Sequence, residues 1–377
     1  MSPEAAGAAG RIPLSFPFLD SREEELVVEV LRSGRLSLGP RVERFERMFA
    51  ARVQARYAAA VSSGTAGLHL AVRLAGVGPG DEVVTSPFSF VASANCAIYE
   101  GARPVFADID PRTLTLDPGA VEAALTSRAR AVLAVDIFGY PCELDQLKAI
   151  CDRHGLALIE DACEALGALY KGRPVGSHGH LAVFAFYPNK QMTTGEGGMV
   201  VTGSEEEWRL LKSLSNQGRA DAGGWLEHAR LGYNYRLSDV AAAIGVAQLE
   251  KLDRLLELRS QAAARYRSLL SGVAGVEPLA LDDTEHRRSW FVYPVWLAPG
   301  IDRERVIAAL DRQGIATSRY LPSIHLQPYM RERFGFRQGM CPVSEDASAR
   351  LLSLPFYSGI TPSEQERVVE GLAKAVG

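Results

Sequence analysis

Long apolar runs are missing from this 377-residue chain, and no segment approaches the roughly 18–20 residues of a membrane span. Runs of basic charge are missing as well. Net charge is −4 and no basic run reaches five residues, which argues against nucleic acid or an acidic membrane as the main partner. Cysteine is scarce. Cys96, Cys142, Cys151, Cys163 and Cys341 are odd in number, scattered and never spaced C-x-x-C. That pattern argues against a disulfide framework or a zinc site and for a reducing cytoplasm. The seven histidines are scattered too, and His178-Gly-His180 alone lacks partners for a metal site. No internal repeat is visible. The first ten residues have neither a charged start nor a long apolar core, so they do not read as a signal peptide; residues 1–11 read as a disordered tail.

What is present is ordinary globular composition, 47% hydrophobic and 23% charged, enough for one large domain and a smaller one. Residues 20–33 predict an amphipathic helix with Asp20 or Ser21 as N-cap and Gly34 as its stop. A second helix is expected over 41–53. From residue 57 the pattern alternates. Strands are expected at 57–61, 82–85, 104–107, 131–135 and 156–160, with helices at 68–74, 90–100, 119–126 and 143–153 between them. This alternation implies an α/β fold with a mainly parallel sheet and helices on both faces. Ligands of such sheets sit on the loops at the carboxyl ends of the strands. From about Ser238 a long helical stretch, 238–270, is expected to connect into a smaller α+β domain. Strands near 290–295 and 316–320 and helices at 302–313 and 362–376 would build that domain. The expected division is 12–250 and 251–377.

The chain is organised around Phe184-Ala-Phe-Tyr-Pro-Asn-Lys190-Gln-Met-Thr-Thr-Gly-Glu-Gly-Gly-Met199. One lysine stands on a tight, glycine-rich connection between two apolar runs. Burial lowers the pKa of an ammonium and makes the amine nucleophilic, which is what a Schiff base with an aldehyde cofactor requires. A snorkelling surface lysine fits the same stretch. Ser62-Ser-Gly-Thr-Ala66 follows a strand and opens a helix, where free amides and the helix dipole favour a phosphate. An ordinary N-capped helix reads identically. Asp161 is placed just past the end of strand 156–160. There a carboxylate can pair with a protonated pyridine nitrogen, or merely cap the next helix. Phe90 can stack on a flat ring or belong to the core.

The set is more specific than its parts. Ser63-Gly-Thr-Ala66, Ser89-Phe-Val-Ala-Ser93, Glu160-Asp-Ala-Cys-Glu-Ala-Leu-Gly167, Phe186-Tyr-Pro-Asn-Lys190 with Gly195-Glu-Gly-Gly198, and Gly232-Tyr-Asn-Tyr-Arg-Leu-Ser-Asp239 occur in one order. Together they resemble the DegT/DnrJ/EryC1/StrS family of pyridoxal-phosphate aminotransferases, from about residue 12 to the C-terminus. The resemblance implies the aspartate aminotransferase fold (fold type I), with 12–250 as the cofactor-binding domain. It also implies a homodimer with shared sites, and transfer of an amino group from L-glutamate to a nucleotide-linked keto sugar by way of pyridoxamine 5'-phosphate. By position it implies Lys190 as the Schiff-base lysine, Asp161 as the acid on the pyridine nitrogen and Phe90 as the stacked ring. Gly64, Thr65 and Ala66 become the phosphate loop, and Asn234 with Arg236 the segment reaching the phosphate from the other subunit. His325 and Tyr320 fall at the sugar-nucleotide end.

Two positions depart from the family pattern. Glu164 stands where many relatives carry glutamine against the cofactor hydroxyl. An ionised carboxylate there would repel the phenolate, so Glu164 is either protonated or differently engaged. Ala185 stands where many carry serine. Three rival functions remain. A family dehydratase would carry histidine in place of Lys190. A cysteine desulfurase or lyase would need a mobile thiol, for which Cys341 is the loop candidate. A non-catalytic regulator would not need both Lys190 and Asp161.

Overall fold

The computed structural model describes residues 10–220, 227–280 and 282–377. Residues 1–9 of the expected tail and 221–226 of the loop after residue 216 lie outside the described residues. Gly10 and Arg11 are tied down: the Gly10 carbonyl accepts from Arg367 at 2.6 Å, and Arg11 pairs with Asp311 at 2.6 Å.

The chain opens with α1 (Ser21–Ser33) and α2 (Pro40–Arg52). Alternation follows: β1 (Tyr57–Val61), α3 (Gly64–Leu74), β2 (Glu82–Thr85), α4 (Ala92–Tyr99), β3 (Arg103–Phe106), α5 (Pro118–Ala124), β4 (Ala129–Val135), α6 (Leu144–His154) and β5 (Ala157–Asp161). A short pair, β6 (Leu169–Tyr170) and β7 (Arg173–Pro174), precedes β8 (Leu181–Ala185), β9 (Gly198–Thr202) and α7 (Glu205–Ser215). Helices α8 (Asp239–Glu250) and α9 (Leu252–Leu270) lead to β10 (Val276–Pro278), β11 (His286–Arg287), β12 (Tyr293–Leu297) and α10 (Arg303–Arg312). The chain ends with β13 (Ser318–Arg319), α11 (Pro328–Phe334), α12 (Pro342–Arg350), β14 (Leu351–Leu354) and α13 (Pro362–Val376).

The main sheet is seven-stranded, in the order β1-β9-β8-β5-β4-β2-β3. It is parallel from β8 to β3, while β9 runs antiparallel to both β8 and β1. The reason lies in the glycine-rich connection between β8 and β9. It carries no helix, and a parallel return would need a helical crossover. Its ends are tied by hydrogen bonds from Phe186 N to Gly197 O (2.9 Å) and from Thr194 N to Phe186 O (3.0 Å). The loop bearing Lys190 is therefore a compact excursion from the sheet.

Helix α1 starts with a full capping box, Asp20 and Glu23 satisfying each other's backbone amides, an arrangement worth about 1 kcal/mol. The rings of Phe45 and Phe49 on α2 meet Phe184 and Phe186 edge-on, with centroids 5.0–5.5 Å apart. This clamps β8 and the residue after it from below, each such pair adding about 0.5–1.5 kcal/mol beyond its buried area. The long helix expected over 238–270 is two helices. It breaks at Lys251, whose backbone leaves the helical region (φ −117°, ψ 10°) and whose ammonium is bound by Asp20 at 2.8 Å and Glu23 at 2.7 Å. No proline or glycine marks this break; the ion pairs to α1 hold it. Beyond it, α9 enters a second core formed with α10, α13 and the four-stranded sheet β10-β12-β14-β13. The sequence reading had no β10, β14, α11 or α12, nor the small sheet β11-β6-β7, whose strands are too short to show a period.

Behind β5 lies a buried acidic pair. Asp136 Oδ2 and Glu160 Oε1 are both buried, and neither accepts from an N–H or hydroxyl group of the described residues. Burial, then the neighbouring Glu160 charge, pushes the Asp136 carboxyl well above its usual range. Burial works against ionisation of Glu160 also, but His180 at 3.0 Å and the Gly176 amide at 2.9 Å hold it ionised. Asp136 therefore carries the proton of the pair. A group with a raised folded-state pKa costs the fold increasingly as pH climbs from its unfolded value through its folded one. In Asp136→Asn the amide donates to Glu160 at every pH, while its oxygen still accepts from Cys142 N (2.9 Å in the native chain). The melting temperature of the variant relative to the native protein is expected to rise as pH climbs above the ordinary carboxylate range, where the native Asp136 is held protonated by burial and by the Glu160 charge. A difference constant with pH would contradict the shared proton.

Candidate active site

One cavity of 510 Å³ opens at the carboxyl ends of the parallel strands. Its floor at one end is the start of α3. Ser63 Oγ caps the helix by accepting from Ala66 N at 3.1 Å. The amides of Gly64 and Thr65, in the first turn, have no acceptor within the helix, and both residues line the cavity. Only glycine lets α3 start here. A Cβ on residue 64 would lie 2.7 Å from Ala185 Cβ and 3.0 Å from Cys163 Sγ. Ala66 is packed in the core; its amide serves the cap and it does not line the cavity.

Asp161 is the last residue of β5, one position earlier than the sequence suggested, and only 4% exposed. Its Oδ2 accepts from Ser93 Oγ at 2.7 Å, and Ser93 in turn meets Ser89 Oγ at 2.7 Å. Its Oδ1 accepts from Cys163 N at 3.2 Å. The carboxylate is thus fixed in the cavity wall by polar partners. From the sequence Ser93 enters only as the end of the Ser89-Phe-Val-Ala-Ser93 motif, with no role attached; its spacing of four from Ser89 was the available signal.

Lys190 is not a surface lysine. Its side chain is 14% exposed, Nζ lies 3.5 Å from Glu164 Oε1, and the ring centroid of Phe291 is 4.0 Å away. Phe291, fully buried, was not foreseen, because one apolar residue in a strand-like run carries no sign of its neighbours. Glu164 also accepts from Phe138 N at 3.0 Å. Burial pushes its carboxyl above the ordinary range, with the Lys190 charge pulling the other way. A neutral carboxyl can donate a hydrogen bond where an amide otherwise would, and the glutamate is compatible with a phenolate on those terms. Phe90 and Tyr187 stand at the mouth, 61% and 52% exposed.

Tyr320 lines the cavity between the rings of Phe138 and Phe291, and burial raises its phenol. His325 does not line it. That imidazole is fully buried, with Nε2 3.0 Å from Glu345 and its face near Phe106. Asn234 and Arg236 also lie outside the cavity of their own chain. Asn234 pairs with Asn216 through the backbone, and Arg236 donates to Asn216 Oδ1 at 2.9 Å. Their segment runs beside the α3 loop, with Ser62 N donating to Tyr235 O at 2.7 Å. Cys341 is buried, its thiol pushed up to about 12 by burial, and it does not face the cavity. It offers no mobile nucleophile.

A family model described as the DegT/DnrJ/EryC1/StrS aminotransferase family matches residues 17–373. The chain belongs to that family. It is 39% identical to the spore coat polysaccharide biosynthesis protein SpsC of Bacillus subtilis (strain 168), over 97% of each chain. Among solved structures it is similar to DesV of S. venezuelae in complex with a ketimine intermediate, at 34% identity and a TM-score of 0.90, covering 97% of this chain and 98% of that one. Spr1654 from Streptococcus pneumoniae in its PLP form superposes with a TM-score of 0.92 at 27% identity, covering 97% and 98% of the two chains. This DegT/DnrJ/EryC1/StrS member is an aminotransferase with the aspartate aminotransferase fold. Its cavity fits pyridoxal 5'-phosphate, the cofactor of the enzyme. A helix N-terminus with free amides at Gly64 and Thr65, the buried Asp161 carboxylate and the buried Lys190 amine line one cavity, a donor set whose chemistry suits a phosphate, a ring nitrogen and an aldehyde. Among the described residues no helix is long and apolar enough to cross a membrane, and all five cysteines are free.

Proposed function

We propose that this aminotransferase moves the amino group of L-glutamate onto a 3- or 4-keto sugar carried on a nucleotide. The observation that carries the reading is the Lys190 amine, buried against Glu164 and Phe291 in the same cavity as Asp161 and the α3 N-terminus. The likeness to a polysaccharide biosynthesis protein supports a sugar acceptor. Bound pyridoxal 5'-phosphate supplies an aldehyde that takes up an amino group and a ring that withdraws electrons from the donor's α-carbon.

Lys190 would hold the cofactor through its amine, and the same amine, when not so engaged, would take and return the proton at the donor's α-carbon. Asp161, fixed by Ser93 and the Cys163 amide, keeps the ring nitrogen protonated. Gly64 and Thr65 amides bind the phosphate, with Ala185 adding no hydroxyl. Phe90 covers the ring at the mouth and keeps water off it. Asn234 and Arg236 lie outside their own cavity and serve the phosphate of a second copy in a homodimer. Lys190 stands where a dehydratase of the family would carry histidine. A panel of keto sugar nucleotides incubated with the holoenzyme and L-glutamate tests the reading. Equimolar 2-oxoglutarate and amino sugar are expected; release of a dehydrated sugar, or of no 2-oxoglutarate with any member, would contradict it.

Glu164→Gln separates a neutral from an ionised residue at that position. A protonated Glu164 and glutamine both donate, so kcat near neutral pH should change by less than about threefold. Burial raises the Glu164 carboxyl, and wherever in the pH range it does ionise it introduces a repulsion that glutamine cannot. The alkaline limb of the kcat–pH profile is therefore expected to move upward in the variant. A large loss near neutrality with an unmoved alkaline limb would show that Glu164 acts as a carboxylate.

A further inference from the structure

We infer that Arg259 is the positioning residue of Lys190, a guanidinium on α9 that ties the Lys190 turn to the segment placing Phe291 beneath the amine. Its Nη2 donates to the Lys190 carbonyl at 3.0 Å. Its Nη1 donates to the Phe291 carbonyl at 3.0 Å and reaches the Trp290 carbonyl at 3.5 Å. The residue is 3% exposed, and its only charged or aromatic neighbour among the interactions described is the Phe356 ring, 5.6 Å from Cζ. No carboxylate pairs with it among the described residues, and burial pushes the guanidinium down to about 10, so it stays charged at neutral pH.

A buried cation without a counter-charge is costly to desolvate, and an apolar side chain of similar size would fill the same space without that cost. What the apolar side chain cannot do is join carbonyls of two chain segments. A lysine ammonium cannot reproduce it either, because only the planar fork presents two donors in fixed register. The same two segments are joined a second time. Gln191 Nε2 donates to the Glu164 carbonyl and, at 2.8 Å, to the Ser289 carbonyl. The 190–191 turn and the 289–291 segment thus form one unit, and Arg259 fixes that unit to α9. The amine, 4.0 Å from the Phe291 centroid and 3.5 Å from Glu164, takes its position from this frame. The stereochemical burden on Lys190 explains the need: one nitrogen must meet both the cofactor aldehyde and a proton on the donor, and small misplacement at such a centre costs up to about 100-fold in rate.

The inference rests on Lys190 being the cofactor-bearing amine, and the two fail differently. If another lysine holds the cofactor, Lys190→Ala keeps the visible band whatever Arg259 does. The test compares Arg259→Met and Arg259→Lys holoenzymes by kcat, KM, melting temperature and visible circular dichroism, which reports the tilt of the bound chromophore. Arg259→Met is expected to fold and bind the cofactor, to melt somewhat lower because the Lys190 and Phe291 carbonyls lose their donor, and to keep KM. Its kcat should fall about 100-fold and its visible ellipticity per unit absorbance at least twofold. Arg259→Lys, with one of the two ties, should recover part of both. Native kcat and ellipticity in either variant would overturn the inference. So would a loss of kcat fully accounted for by a matching loss of bound cofactor, with native kcat per bound cofactor, which would make Arg259 a folding residue. If Arg259→Met cannot be obtained folded, Arg259→Lys alone decides between these outcomes.

Discussion

Replacing Lys190 by alanine is expected to abolish the visible absorbance of the lysine-bound cofactor and to lower turnover by at least about 10⁴-fold, because one side chain supplies both the covalent anchor and the proton carrier. The fold should survive. Lys190 makes a contact of 3.5 Å with Glu164 and rests on the Phe291 ring, but neither the sheet nor the α3 cap depends on it. Removing the amine leaves Glu164 without its cation, which burial and the loss of charge both push further toward the neutral form. Absorption spectra of the reconstituted variant and single-turnover kinetics with L-glutamate check the expectation. Retained visible absorbance together with native turnover would remove Lys190 from the chemistry.

Asp161→Asn is expected to behave differently. The lysine remains, so the visible band persists, while kcat falls by about 10²–10³-fold because the ring nitrogen no longer has an ionised partner. The substitution is close to isosteric. The remaining side-chain oxygen keeps the bond from the Cys163 amide (3.2 Å in the native chain), and Ser93 Oγ can turn to accept from the new amide. The variant's melting temperature therefore serves as a control: native melting with lost kcat places the effect on the electronics of the site. Native kcat would mean that Asp161 is a structural cap and no more. The pair of variants thus separates anchoring from electron withdrawal.

Much of this site was legible in the chain because its parts are local. A glycine-bearing loop at a helix start, an acid at a strand end and a lysine on a glycine-rich turn are each contiguous signals, their order is specific, and the structure brings them to one cavity. The alternation after residue 57 similarly declared the sheet. The reading went wrong or fell silent where a feature depends on residues far apart. Lys251 breaks a helix because Asp20 and Glu23, near the other end of the chain, hold it, and nothing at 251 itself marks the break. β9 runs antiparallel because its connection from β8 carries no helix, and the expectation of a mainly parallel sheet left its direction open. The resemblance put His325 at the sugar-nucleotide end, yet in this chain its imidazole is buried and held by Glu345. Phe291, Ser93 and Arg259 acquire meaning only when three segments meet at the Lys190 turn. Glu164, the clearest departure from the family pattern, is reconciled by burial, a property no spacing records.

The most direct test of the account is reduction of the holoenzyme with borohydride followed by peptide mapping. The account predicts one pyridoxyl-modified peptide, with the adduct on Lys190. An adduct on Lys148, Lys171, Lys212, Lys251 or Lys374 instead, with Lys190 unmodified, would contradict it.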